Sequence, residues 1–274
     1  MKKPITILLF LLLSAVLCPA QKTLWSFGTA RTLPMGQQEF GIMHPFQIGA
    51  TDKLEVSAQP LIGLTLAPNV SFKYRWYDEG WTISSRHAFT LPTLLVKSIL
   101  YPPWDDLLRN EHEIPFIFNF RNEALATKQI GKEMLITARA GFEFSLKAWG
   151  DTTLPAITNK FLYLRSTTLN KKVLMYAGAQ YDVNIYRDYN AMAEVTVFSS
   201  GFFKDWGIEH KGYFIWNKSN KFAALIGYKM GVGSYPDPTL TLPRKTRFFI
   251  VPVADLIWKL NVQRKPQKDL FRVR

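Results

Sequence analysis

From Ile136 to Lys147 the chain alternates without a break. Ile136, Ala138, Ala140, Phe142, Phe144 and Leu146 take one side; Thr137, Arg139, Gly141, Glu143, Ser145 and Lys147 take the other. Successive side chains of an extended chain point to opposite faces, so this pattern predicts a strand with one apolar and one charged face. The same period recurs along the chain. Val70, Phe72, Tyr74 and Trp76 oppose Lys73 and Arg75, and Met175, Tyr181, Val183 and Ile185 oppose Gln180 and Asp182. Trp206, Ile208, Phe214 and Trp216 oppose Glu209 and Lys211, and Phe248, Ile250, Leu256, Trp258 and Leu260 oppose Asp255 and Lys259. Strands of soluble domains average about 5–6 residues, and these runs are much longer.

Turn-forming residues separate the runs: Ala-Thr-Asp-Lys at 50–53, Asp-Glu-Gly at 78–80, Asn-Lys-Lys at 170–172, Lys-Asp at 204–205 and Lys-Ser-Asn-Lys at 218–221. Pro-containing connections fall at 92–114, 149–158 and 234–245. The expected strands are 38–49, 54–63, 69–77, 81–91, 115–126, 133–148, 159–168, 173–185, 191–203, 206–217, 222–233 and 246–260, with one helix within 92–110. In this list short and long connections do not alternate cleanly.

Long amphipathic strands suit either a soluble sandwich or barrel, with apolar residues inside, or a membrane barrel, with apolar residues toward lipid. Three features favour the membrane. The runs reach the roughly 9–11 residues that a tilted spanning strand needs. Their polar faces carry both signs of charge: Lys73, Arg75, Arg86, Arg121, Arg139, Lys147, Lys211, Lys229 and Lys259 against Glu55, Glu123, Glu143, Asp182, Glu194, Glu209 and Asp255. Aromatic residues crowd the strand ends beside turns: Trp76, Tyr77, Trp81, Trp206, Trp216 and Trp258. Amphipathic rings at headgroup depth give that pattern. Backbone groups in hydrocarbon find no water, so an open sheet edge is excluded. The expectation is an all-β fold, a transmembrane antiparallel up-and-down β-barrel of about 12 strands, within a range of roughly 10–14.

The termini have a different composition. Lys2 and Lys3 precede an apolar run from Ile5 to Val16, and Cys18-Pro19-Ala20 sets small residues before Gln21. This predicts a cleaved signal peptide over 1–20 and hence export to the outer membrane. Cys18 is the only cysteine, so a disulfide framework and thiolate metal sites are excluded from the mature chain. Residues 21–36 form a lead-in that is either a further strand or a plug, 37–262 the barrel, and 263–274 a basic tail.

Within 28–60 the stretch GTARTLPMGQQEFGIMHPFQIGATDKLEVSAQP resembles the amino-terminal part of uncharacterised outer-membrane β-barrel proteins of Bacteroidetes type, which are transporter-like. Ile48-Gly49-Ala50-Thr51-Asp52-Lys53-Leu54-Glu55 matches their strand-ending turn, and GYKMGVGSYP at 227–236 and PVADLIW at 252–258 fit their later part. The resemblance implies fold and location. It brings no activity and no catalytic residues.

The chemistry-bearing residues are few. Ser85 and His87 are two apart on one expected strand, so they share a face with Trp81, Ile83 and Phe89. They read as a polar pair near a membrane interface, and as poor best candidates for a lipid hydrolase. Glu111-His112-Glu113 reads as a solvated loop, and His44 and His210 as structural. No catalytic set, metal site or cofactor is expected. The polar faces are the best functional candidate, lining the lumen of a narrow passive channel or transporter for small solutes, with a slight basic excess that would favour anions. The alternative is a closed scaffold barrel. The expected partners are outer-membrane lipid and a periplasmic or outer-membrane protein, with no nucleic acid.

Overall fold

The computed structural model describes residues 27–60, 67–100, 115–131, 133–148, 168, 173–200, 205–235 and 245–262. The alternating runs form β1 Gln38–Gly41, β2 Phe46–Gly49, β3 Leu54–Ala58, β4 Asn69–Glu79, β5 Trp81–Thr90, β6 Phe116–Ile130 and β7 Met134–Ala148. They continue as β8 Val173–Tyr186, β9 Tyr189–Ser200, β10 Asp205–Ser219, β11 Phe222–Tyr235 and β12 Lys245–Leu260. Each strand pairs antiparallel with the next, and β1 pairs with β12 to close the barrel. One helix, α1 Thr93–Leu100, lies between β5 and β6. Pro92 stands just before its first turn, where a missing N–H costs nothing.

The apolar face points outward. Ile226 is 64% exposed and Phe248 67%. Aromatic pairs tile the outside, such as Phe120 stacked on Phe144 with centroids 5.1 Å apart. The charged face points inward and is largely buried.

Turns at 50–53, 80, 131–133, 187–188 and 220–221 lie at one end of the barrel, together with the start of β1 and the end of β12. The strand ends at 41 and 46, 58 and 69, 90 and 116, 148 and 173, 200 and 205, and 235 and 245 lie at the other end. The long gaps between strands therefore all fall at that end, while four-residue gaps occur at both, an order more regular than the one expected from sequence.

Two strand assignments account for that. The expected strand 38–49 is two strands with a turn at 42–45. Pro45 offers no N–H to a ladder, and Asp255 Oδ1 accepts from the N–H groups of Ile42 (2.8 Å) and Met43 (3.0 Å), holding the turn. The expected strand 159–168 is not a rung of the barrel, because β7 pairs directly with β8. Of that stretch only Thr168 is described, and it is helical. The two errors offset each other in the count. The signal peptide, the basic tail and Glu111-His112-Glu113 lie outside the described residues.

Candidate functional site

The strand register builds the lumen. Lys229, Lys211, Glu194, Gln180, Thr137, Thr127, Thr82 and Asp78 face one another in turn from β11 round to β4. Lys211 and Lys229 are directly opposite, an arrangement that repels. Glu209, one pleat away on β10, resolves it: one oxygen lies 3.0 Å from Lys211 Nζ and the other 2.8 Å from Lys229 Nζ. Lys211 also lies 3.0 Å from Glu194, which lies 3.1 Å from Arg139. The chain of charges thus runs Lys229–Glu209–Lys211–Glu194–Arg139.

The other charges expected in the lumen are placed as follows. Lys73 pairs with Glu55 at 3.0 Å, and Arg86 with Glu123 at 3.3 Å. Arg121 stands opposite Glu143 in the β6–β7 register, and Glu143 accepts from Asn119 Nδ2 at 2.7 Å. Asp182 accepts from Gln180 Nε2 at 2.9 Å. Arg75 pairs with Asp78 at 3.0 Å. Asp255 differs from the rest, because it holds the β1–β2 turn. Glu39, Asp78 and Asp205 are inward acids absent from the sequence reading. Glu39 lies 3.6 Å from Lys259. Asp78 accepts from Thr82 Oγ1 at 2.7 Å. The bulge between Arg75 and Tyr77 reverses the alternation there, sending Trp76 and Tyr77 both outward and Asp78 in. These acids narrow the basic excess counted from sequence.

Residues 27–35 form no strand and lie against this inner wall. The Ala30 N–H donates to Thr127 Oγ1 (2.8 Å) and the Leu33 N–H to Glu55 Oε2 (3.0 Å). Arg139 Nη2 donates to the Gly28 carbonyl (3.4 Å) and to Gln180 Oε1 (2.6 Å), while Gln180 Nε2 donates to the Phe27 carbonyl (3.4 Å). Gly28 has φ +75°, and a Cβ there would strike Gln180. Gly49 lets the Leu33 and Pro34 carbonyls lie on the wall, where any Cβ would collide with both. Phe27 rests on His44, centroids 4.7 Å apart, and on an apolar cluster of Met192, Ile215, Ala223, Leu225 and Ile257. A second inner cluster joins Leu174, Tyr176, Phe198 and Phe249. Among the described residues the lumen holds ion pairs, two apolar clusters and a segment of the chain itself.

In overall shape the chain is similar to an outer membrane channel of Pseudomonas putida F1, at 9% sequence identity and a TM-score of 0.49, over 86% of this chain and 100% of that one. No family model matches the chain, and no curated protein is similar to it. The likeness does not tie the chain to the Bacteroidetes-type proteins whose motifs it resembles.

On the outside, Trp76, Tyr77, Trp81 and Trp216 stand exposed at the short-turn end, with Trp258 half-buried beside Phe40 and Phe222. Trp206 stands exposed at the opposite end. Lys128 lies over the Trp81 ring, 5.4 Å from its centroid. The outer face of β5 and β6 also carries a polar group that sequence reasoning saw only in part. His87 Nε2 lies 3.1 Å from Ser85 Oγ, and His87 Nδ1 lies 2.8 Å from Asn122 Oδ1. Trp76 Nε1 donates to Ser85 Oγ at 2.9 Å. Asn122 was missed because it joins His87 only through the β5–β6 register, which pairs the two residues directly. Its one sequence signal is a polar residue in the outward series Phe116, Phe118, Phe120, Asn122, Ala124.

Proposed function

We propose that the protein is an outer-membrane barrel that works as a narrow passive channel for small polar solutes, closed at rest by its own residues 27–35. The supporting observation is the inner wall of buried ion pairs with that segment hydrogen-bonded across it. A barrel of about eight strands is filled by side chains alone, and one of 16–18 holds water. Twelve strands leave space for one extra segment. Its departure would uncover charged groups that water can solvate. The outward apolar face supports a lipid surround, since soluble monomers rarely expose apolar patches beyond a few hundred Å². Short turns in such barrels face the periplasm, which puts both ends of the barrel sheet on that side.

The test is a tether. Ala30→Cys with Thr127→Cys places two thiols where the segment meets the wall. In planar bilayers the oxidised protein is expected to stay closed and the reduced protein to conduct. Equal, negligible conductance in both forms would refute the channel and favour a closed scaffold barrel, the second reading, which the burial of the lumen charges supports.

A further inference from the structure

The outward cluster on β4, β5 and β6 has a fixed direction of hydrogen bonding. Indole Nε1–H only donates, so the Ser85 oxygen accepts from Trp76. Ser85 can accept there and still donate its own proton to His87 Nε2. The Asn122 carbonyl oxygen only accepts, so His87 Nδ1 carries the proton and Nε2 offers its lone pair to Ser85. In the neutral ring that tautomer aligns all three bonds. The result is a nucleophile, a base and a group that holds the base in its working tautomer, the arrangement by which serine acyl-transfer enzymes are recognised on unrelated folds.

The surroundings point to the substrate. Polar side chains on an apolar outer face are costly unless they serve a purpose. Here three lie together beside a recess lined by Phe72, Phe89 and Phe120, a surface suited to an acyl chain. The β4 bulge, a feature over-represented next to active sites, swings Trp76 out to reach Ser85. Ser85 lies two outward positions from Trp81, toward the short-turn end.

The geometry points to a second activity: hydrolysis of the acyl esters of membrane phospholipid at Ser85, on the outside of the barrel. Ser85 Oγ attacks the ester carbonyl carbon while its proton passes to His87 Nε2. As Oγ bonds to the carbonyl carbon, the Trp76 Nε1–H that met Oγ would turn to the adjoining carbonyl oxygen as it becomes an oxyanion. The tetrahedral intermediate collapses with cleavage of the carbon–oxygen bond to the glycerol, and that alkoxide takes the proton from His87. Water then attacks the acyl-serine, giving its proton to His87, which returns it to Ser85. The sum is ester plus water to fatty acid plus lysophospholipid. Ser85 and His87 are the catalytic residues; Asn122 is a positioning residue.

The inference rests on the outward face meeting lipid, and it is independent of the channel. The full chain would be reconstituted into vesicles of phosphatidylethanolamine and phosphatidylglycerol, floated on a density gradient, and assayed for fatty acid and lysophospholipid by mass spectrometry. A hexadecyl sulfonyl fluoride would be used in parallel to label the nucleophile. Release of both products and labelling at Ser85 are expected. Ser85→Ala should lose labelling altogether and activity by on the order of 10⁶-fold. Asn122→Ala should lower kcat by on the order of 10²-fold with KM unchanged, and Asn122→Asp should restore most of it. Ser84→Ala, on the inner face, should change neither. Each variant must float and keep its boiling-dependent gel shift, which separates lost chemistry from lost fold. Wild-type protein that floats but neither releases fatty acid nor labels overturns the hydrolase alone. Activity retained in Ser85→Ala also overturns it. Protein that does not float overturns the membrane reading itself.

Discussion

Glu209→Gln should destabilise the barrel more than a typical surface substitution. Glu209 is 1% exposed and places one oxygen on each of two lysines, at 3.0 and 2.8 Å. At an effective dielectric of about 20, a unit charge pair at roughly 3 Å is worth about 5 kcal/mol of Coulomb energy, much of it offset by desolvation. The amide keeps the shape and removes the charge. Lys211 still has Glu194, whereas Lys229 loses its 2.8 Å ion pair while still facing Lys211 across the ladder. Breaking a buried pair by removing one partner costs about 3–5 kcal/mol. The lysine side chains are 20% and 15% exposed, so the low end applies, about 3 kcal/mol. The assay is a urea titration in lipid vesicles, read by the unheated folded band on gels. Lys229→Met added to Glu209→Gln should recover at least about 1 kcal/mol, as expected for groups in one ionic network. A single variant within about 0.5 kcal/mol of wild type, or strict additivity of the pair, would refute the bridging role.

Further expectations are independent of that pair. Gly28→Ala should unseat residues 27–35, because it meets both a left-handed φ and the Gln180 side chain; the measurement is reactivity of an Ala30→Cys thiol toward a water-soluble maleimide, which should rise. Asp255→Ala should cost about 1–3 kcal/mol by orphaning the N–H groups of Ile42 and Met43, while Asp255→Asn, which keeps an acceptor, should cost less; urea midpoints decide. Ile226→Lys, on the outward face, should cost about 2–4 kcal/mol if it lies near the bilayer midplane; a change within about 0.5 kcal/mol, normal for a surface position in a soluble protein, would contradict a lipid surround.

Much of the wall was legible because a period of two is a direct record of which residues share a face. From Met134 to Ala148 and from Val173 to Ile185 the expected faces are the observed ones. Where the record is interrupted, the reading strayed. Pro45 breaks the expected strand at 38–49, and the bulge at Trp76 inverts the faces of the residues after it, concealing Asp78. The inner seat of residues 27–35 had no periodic signal, because an irregular segment is held by hydrogen bonds to Thr127, Glu55 and Arg139, each distant in sequence. Asn122 was hidden for the same reason. Its partner lies on another strand, and only register, a property of two strands together, sets it opposite His87.

The short seam has a consequence for assembly. β1 meets β12 only through Gln38–Gly41 against Ile257–Leu260, and residues 27–35 run directly into β1. Seating of that segment and closure of the seam therefore fall on adjoining stretches of chain, so a fault in one is felt at the other. A chain arrested before sealing would expose its ionic interior sideways toward the membrane, which gives the last four rungs an influence on folding yield well beyond their length.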